Sequence, residues 1–234
     1  MPWQLASDSE GVVVASAKNG EKRAEILAAT IRTLVRHGLA ETTTRKIASE
    51  AGVNQAMLRY YFGGKDDLLF AVLQEMMRLT GEIARASAPV ASTLRATIVE
   101  SMSAFWASVE AEPELQIIQY ELTLYALRSP EAAWLAQQQY AGYAAVVEQL
   151  VRETEARSGE TCAIPADEMA RYIVGGLDGL ILQFISDRSV ERARRDLRNL
   201  IAAAVALAEG CAEPERQADE SSEMRTGMRR EARP

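Results

Sequence analysis

Residues Arg45 to Phe62 read RKIASEAGVNQAMLRYYF, a pattern for two short helices joined by a tight turn. Ala48 and Ala51 are small enough to let the two helices cross closely, and Gly52 can take the positive φ that the turn requires. Ile47, Val53, Leu58 and Phe62 fall where a small three-helix core needs apolar groups. Thr44, Arg45, Lys46, Asn54, Gln55, Ala56, Met57, Arg59, Tyr60 and Tyr61 remain for the outside. That face offers hydroxyl, amide, basic and aromatic donors and no carboxylate. It suits a helix-turn-helix whose second helix enters a major groove. A helical hairpin with a solvated face is the plainer reading, but a carboxylate-free face is unusual in a chain of net charge −7.

Working outward, a first helix is expected from Glu21 to His37, with Leu27, Ile31, Leu34 and Val35 on one face and Gly38 as its stop. Thr42, Thr43 and Thr44 offer cap oxygens for a short helix through Ala51, and Asn54 caps the next through Phe62. Gly63 and Gly64 punctuate, and a long helix follows from Lys65 to about Ala86. Pro89, Pro113, Pro130 and Pro165 each stand near the start of a further amphipathic stretch, where a missing N–H does no harm. A last helix, Val190 to Glu209, follows a break at Asp187-Arg188-Ser189. With no alternating strand pattern, the chain is expected to be all-α, with about nine helices. Residues 1–19 read as a flexible arm, 20–80 as the DNA-binding domain, 81–210 as a second helical domain and 211–234 as a charged, disordered tail.

Charge is divided in the same way. The segment Lys18 to Thr80 is net +3, whereas the remainder is net −10. Two cysteines, Cys162 and Cys211, with no CxxC pair exclude a disulfide framework and read as isolated reduced thiols. His37 is the sole histidine, which leaves no multi-His metal centre and little for a catalytic triad. It stands in the last turn of the first helix, where an end-cap role is simplest. No apolar run approaches the ~20 residues of a membrane span, and the N-terminus lacks a charged region before Val12-Val13-Val14, so a cytoplasmic protein without cofactors is expected.

From Lys22 to Leu73 the chain resembles the tetracycline-repressor (TetR) family of bacterial one-component regulators. The resemblance rests on the first helix with Gly38, on TTTRKIASEAGV, on LRYYF, and on Lys65 with Leu68 and Leu69. It implies that Thr44 and Arg45 open the second helix against phosphate or a base edge. Gln55, Ala56 and Met57 would begin the recognition helix and face bases. Arg59, Tyr60 and Tyr61 would grip the backbone, and Lys65 would neutralise a phosphate. Two residues depart from the family habit. Arg59 stands where Tyr is common, and Gly64 stands where Ser or Asn usually caps the fourth helix, which weakens that cap. Both departures bear on any operator sequence borrowed from the family.

The resemblance further implies that the rest of the chain binds an effector and dimerises. Pro113 to Tyr143 is similar to effector domains of one branch of the family. Aromatic residues there and just before, Phe105, Trp106, Tyr120, Tyr125, Trp134, Tyr140 and Tyr143, alternate with amides such as Gln116 and Gln119. Apolar walls with a few polar groups describe a small-molecule pocket, although aromatics at helical spacing also describe plain core. The pocket is expected around Phe105, Trp106, Gln116, Tyr120, Tyr125, Trp134, Tyr140 and Asp178, with Asp178 serving either the pocket or an interface. The effector should be apolar or aromatic with one or two polar groups, since neither a metal cluster nor a Gly-rich phosphate cradle is present. Apolar stripes in the last two helices, with Gly175, Gly176 and Gly179 in mid-helix, suggest a four-helix bundle across a two-fold axis. Its expected contacts are Gly176, Leu180, Phe184, Leu197, Ile201 and Ala204. The expected function is therefore a homodimeric regulator, by family habit a repressor, on a pseudo-palindromic double-stranded operator and released by its effector. The rival is a helical lipid-binding protein or enzyme with a vestigial helix-turn-helix.

Overall fold

The computed structural model describes residues 7–86 and 93–210; Pro89, Cys211 and the expected tail 211–234 lie outside them. Nine helices follow one another among the described residues: α1 (Ser7–Glu41), α2 (Thr44–Glu50), α3 (Gln55–Phe62), α4 (Lys65–Ala86), α5 (Leu94–Ala111), α6 (Pro113–Arg128), α7 (Ala133–Ser158), α8 (Ala166–Asp187) and α9 (Val190–Ala208). Strands are absent among these residues.

Helix ends follow local chemistry. The Thr43 hydroxyl accepts the Lys46 N–H at 3.2 Å, and Asn54 Oδ1 accepts the Met57 N–H at 2.8 Å, which caps α2 and α3. Gly52 turns between them at φ 62°. Pro113 occupies the first turn of α6, and Gly159 closes α7 in the left-handed region at φ 76°. Two differences concern α1. It begins at Ser7, so residues 7–19, read as an arm, are helical backbone. Gly38, at φ 71° and ψ 169°, breaks the helix as expected, but one further turn follows it to Glu41.

Two cores hold the chain. The first joins Ile26, Leu34, Ile47, Leu58, Leu69 and Leu73 of α1–α4 to Ile118, Leu122 and Ala126 of α6. The second joins α5, α8 and α9 through residues such as Trp106, Ile173, Phe184 and Val205. Helix α6 thus belongs to the head's core along one side, and α4 runs from the head into the body.

Within the subunit, Phe184, Leu197, Ile201 and Ala204 are buried in this second core. A Cβ added to Gly176 would lie 2.5 Å from Leu200 Cδ1 of the same chain. The stripes read as a dimer face are therefore the faces that α8 and α9 turn towards their own subunit. Burial periodicity marks an inside face but cannot say which neighbour covers it. The outward strip of α8 carries Tyr172, Gly175, Gly179 and Leu182. A Cβ on either of those two glycines would meet nothing within 4 Å.

Candidate DNA interface and interior cavity

The head presents the face anticipated from its sequence. Arg45, Gln55, Ala56, Arg59 and Tyr60 are exposed, and Tyr60 reaches 75%. Thr44, Met57, Tyr61 and Lys65 are half-buried around them. The Tyr60 and Tyr61 rings meet edge to face at 5.1 Å, and the Tyr61 hydroxyl donates to Asn19 Oδ1 at 2.8 Å. These contacts hold the aromatic end of α3 against α1.

The electrostatics of this face follow from where its neighbouring carboxylates are engaged. Glu50 is bound by Arg32 and Arg36 at 2.9 Å each, and their hydrogen bonds hold its carboxyl below the usual range. Asp66 accepts from the Tyr125 hydroxyl at 2.8 Å. Asp67 Oδ2 accepts the Gly64 N–H at 2.9 Å. That last bond answers the departure at Gly64: the cap lacks a side-chain oxygen, but Asp67 supplies the reach-back half of a capping box. Arg45, Arg59 and Lys65 form no ion pair among the described residues. Three unpaired cations beside an amide at a helix start can grip phosphates and read a base edge.

In the body, a cavity of about 90 Å³ opens between α4, α5, α6, α7 and α8. Phe105, Gln116 and Asp178, expected in a pocket, line it. Tyr120 stands at its margin and donates to Asp178 Oδ1 at 3.0 Å; Tyr140 lies near the same carboxylate. Burial first, then Asp178, push both phenols above the ordinary tyrosine value, so they remain protonated donors.

Three expected residues lie elsewhere. Trp106 is buried in the second core and donates to Glu110 at 2.7 Å. Tyr125 reaches the head at Asp66. Trp134 is 54% exposed and donates to the Glu131 carbonyl. Each satisfies the same helical spacing as a pocket residue, which is why spacing alone mislocates them.

Gln119, Tyr143, Val147 and Leu150 line the cavity beyond the expected set. Thr123 and Tyr143 are joined through the buried Gln139, at 2.8 and 3.3 Å, which fixes the Tyr143 ring. Gln119 is only 7% exposed, and its side-chain amide has no hydrogen-bond partner among the described residues. Its polar atoms are nevertheless not sealed in protein, so they open onto the cavity it lines. The amide-rich run around Gln116 and Gln119 was the available signal for it.

Helix α6 joins the two sites. Gln116, Gln119 and Tyr120 serve the cavity, while Glu121 and Tyr125 serve the head. Glu121 Oε2 accepts the Leu39 N–H at 3.0 Å, just beyond the Gly38 break. Helix α4 makes a second link, with Lys65 at the head and Thr80 and Gly81 on the cavity wall, roughly 22 Å apart along the helix.

Among the described residues no helix is long and apolar enough to cross a membrane, and no group of three or more His, Cys, Asp or Glu could hold a metal ion.

Residues 26–72 match bacterial regulatory proteins, tetR family, and residues 93–207 match the tetracyclin repressor-like C-terminal domain. The chain is 30% identical over 186 residues to the HTH-type nicotine-responsive transcriptional repressor of Paenarthrobacter nicotinovorans, covering 77% of this chain and 92% of that protein. In fold it is similar to a TetR transcription regulator from Haloarcula marismortui, with a TM-score of 0.67 at 20% identity over 82% of this chain and 98% of that one. It is also similar to the transcriptional regulator FadR of Bacillus subtilis in complex with stearoyl-CoA, with a TM-score of 0.63 at 17% identity over 79% and 98% of the two chains.

Proposed function

This chain belongs to the tetR family of DNA-binding transcription regulators, and from that premise we propose that it is a repressor released by a small organic effector in the α4–α8 cavity. The observation that carries this reading is α6, whose successive residues Gln119 to Glu121 touch first the cavity and then the backbone after Gly38. An effector that draws on Gln119 or Tyr120 moves the acceptor of the Leu39 N–H. The recognition helix packs on the same core, so its spacing from a second head changes. By linkage, effector and operator then weaken each other equally. The name of the Paenarthrobacter relative, nicotine-responsive, supports an organic effector, and the fold likeness to FadR adds nothing about ligand class.

Two heads require two copies. The outward strip Tyr172, Gly175, Gly179 and Leu182 has the spacing of one helix face. Mid-helix glycine costs about 1 kcal/mol relative to alanine, and nothing in the subunit requires these two. Close approach of a partner's α8 and α9 accounts for them. On DNA, Gln55 reads a base edge at the start of α3, while Arg45, Arg59 and Lys65 hold phosphates. Tyr60 and Tyr61 support that grip.

Selection of bound fragments from genomic DNA tests the reading. The expected product is a pseudo-palindrome whose half-sites lie one helical turn, or a multiple of it, apart. Recovery of fragments with no shared two-fold sequence would refute it.

A further inference from the structure

The α4–α8 cavity carries one formal charge on an apolar wall. Among the described residues, Asp178 is the only Asp, Glu, Lys, Arg or His that lines it, and the sole histidine, His37, is exposed on α1. The Tyr120 phenol donates to the Asp178 carboxylate, and Tyr140 lies near the same group. A carboxylate has about four acceptor positions, so open ones remain beside the cavity. Asp178 forms no ion pair among the described residues.

A negative charge on apolar walls selects the sign of what enters. A carboxylate or phosphate ligand would place like charge against Asp178 and find no cation to offset it. A neutral apolar ligand would strip water from the open acceptor positions and return nothing. A protonated amine supplies both a positive charge and N–H donors, and the ring faces nearby favour a cation electrostatically. Phe105 and Tyr143 line the cavity, and Tyr120 and Tyr140 flank the carboxylate. The nine-tenths-buried Gln119 amide, unpartnered and open to the cavity, supplies a second polar contact on the α6 side.

We infer that the cavity selects a monocationic amine carried on an apolar or aromatic body, with Asp178 as its counter-ion and Gln119 bonding one further neutral polar group. This rests on reading the cavity as the effector site. Because Gln119 and Tyr120 adjoin Glu121, an amine seated there reaches the α6 link to the head directly.

The test is calorimetric titration of the full-length protein at pH 7 with matched probes. These are 3-phenylpropylamine, 3-phenylpropan-1-ol and 3-phenylpropionate, and the same three head groups on cyclohexyl and indolyl bodies. The amines are expected to bind about tenfold tighter than the alcohols or better, with the carboxylates weakest. Asp178→Asn should erase the preference for amine over alcohol, and Val147→Phe, which fills the cavity, should abolish binding of every probe. Should Asp178→Asn fail to fold, the wild-type ranking decides alone. Alcohols or carboxylates binding as tightly as amines, still blocked by Val147→Phe, would overturn the amine assignment and leave the effector cavity standing. Binding that survives Val147→Phe, or no binding by any probe, would overturn both.

Discussion

The head and the body of this regulator handle charge in opposite ways. In the head, three carboxylates are engaged by partners, Glu50 by two arginines, Asp66 by Tyr125 and Asp67 by the Gly64 N–H, and Arg45, Arg59 and Lys65 form no ion pairs among the described residues. In the body, one carboxylate, Asp178, lines an otherwise uncharged cavity. A surface that must meet a polyanion in water keeps its cations free and depends on steering. The cavity proposed to choose a small molecule holds its one charge where water is scarce and the charge is strongly felt. The function of the first is on display; that of the second is enclosed.

Substitutions at glycine give the largest expected effects and sharpen the contrast between inside and outside faces of the body. Gly176→Leu forces side-chain atoms into Leu200 of its own subunit. It should lower subunit stability by about 1–3 kcal/mol or more, seen as a fall in melting temperature. A Cβ at Gly179 meets nothing within 4 Å among the described residues of its own subunit, so Gly179→Leu adds its side chain to the outward strip of α8. It should leave secondary structure intact while sedimentation shows monomers. If Gly176→Leu melts normally or Gly179→Leu stays dimeric, the assignment of the two faces is reversed.

A smaller effect is expected where the regions join. Glu121→Ala removes the acceptor for the Leu39 N–H. It should reduce the coupling free energy between effector and operator by about 1 kcal/mol, out of the 1–3 typical of such systems. Each ligand should bind separately almost as before. Paired titrations, each ligand with and without the other, measure this; undiminished coupling would place the link elsewhere, with α4 the remaining candidate.

The smallest effect concerns acid. Arg32 and Arg36 hold the Glu50 carboxyl below its ordinary value. The stability it contributes is therefore complete above about pH 4.5 and is lost as pH falls through the lowered folded value. Glu50→Gln should flatten that part of the acid-side fall in melting temperature. An unchanged acid limb would show that the pair adds nothing measurable, as exposed ion pairs often do.

The same contrast explains what was legible in the sequence. The head was readable almost residue by residue, because Thr43, Gly52 and Asn54 act on their immediate neighbours. Helix α4 likewise spans Lys65–Ala86 as expected. Gly64 lacks a cap oxygen, as its sequence position indicates, and the compensating bond comes from Asp67, a side chain reaching back three residues. The body was readable as helices but not as a site. Phe105, Trp106 and Trp134 look alike in a periodic pattern, yet one lines the cavity, one is core and one is exposed. Which helix covers which face is a long-range fact. Periodicity therefore located the buried stripes of α8 and α9 without revealing that each covers the other.

In the proposed mode of DNA binding, the start of α3 reads bases while the cations around it, unpaired among the described residues, hold phosphate. Titrating wild type, Gln55→Ala and Lys65→Ala against the selected operator and a random duplex at several salt concentrations tests it most directly. Gln55→Ala should lose about 1–3 kcal/mol on the operator and much less on random DNA. Lys65→Ala should weaken both alike and reduce the magnitude of the salt slope by about one per subunit. Equal losses on the two duplexes for Gln55→Ala would contradict the claim.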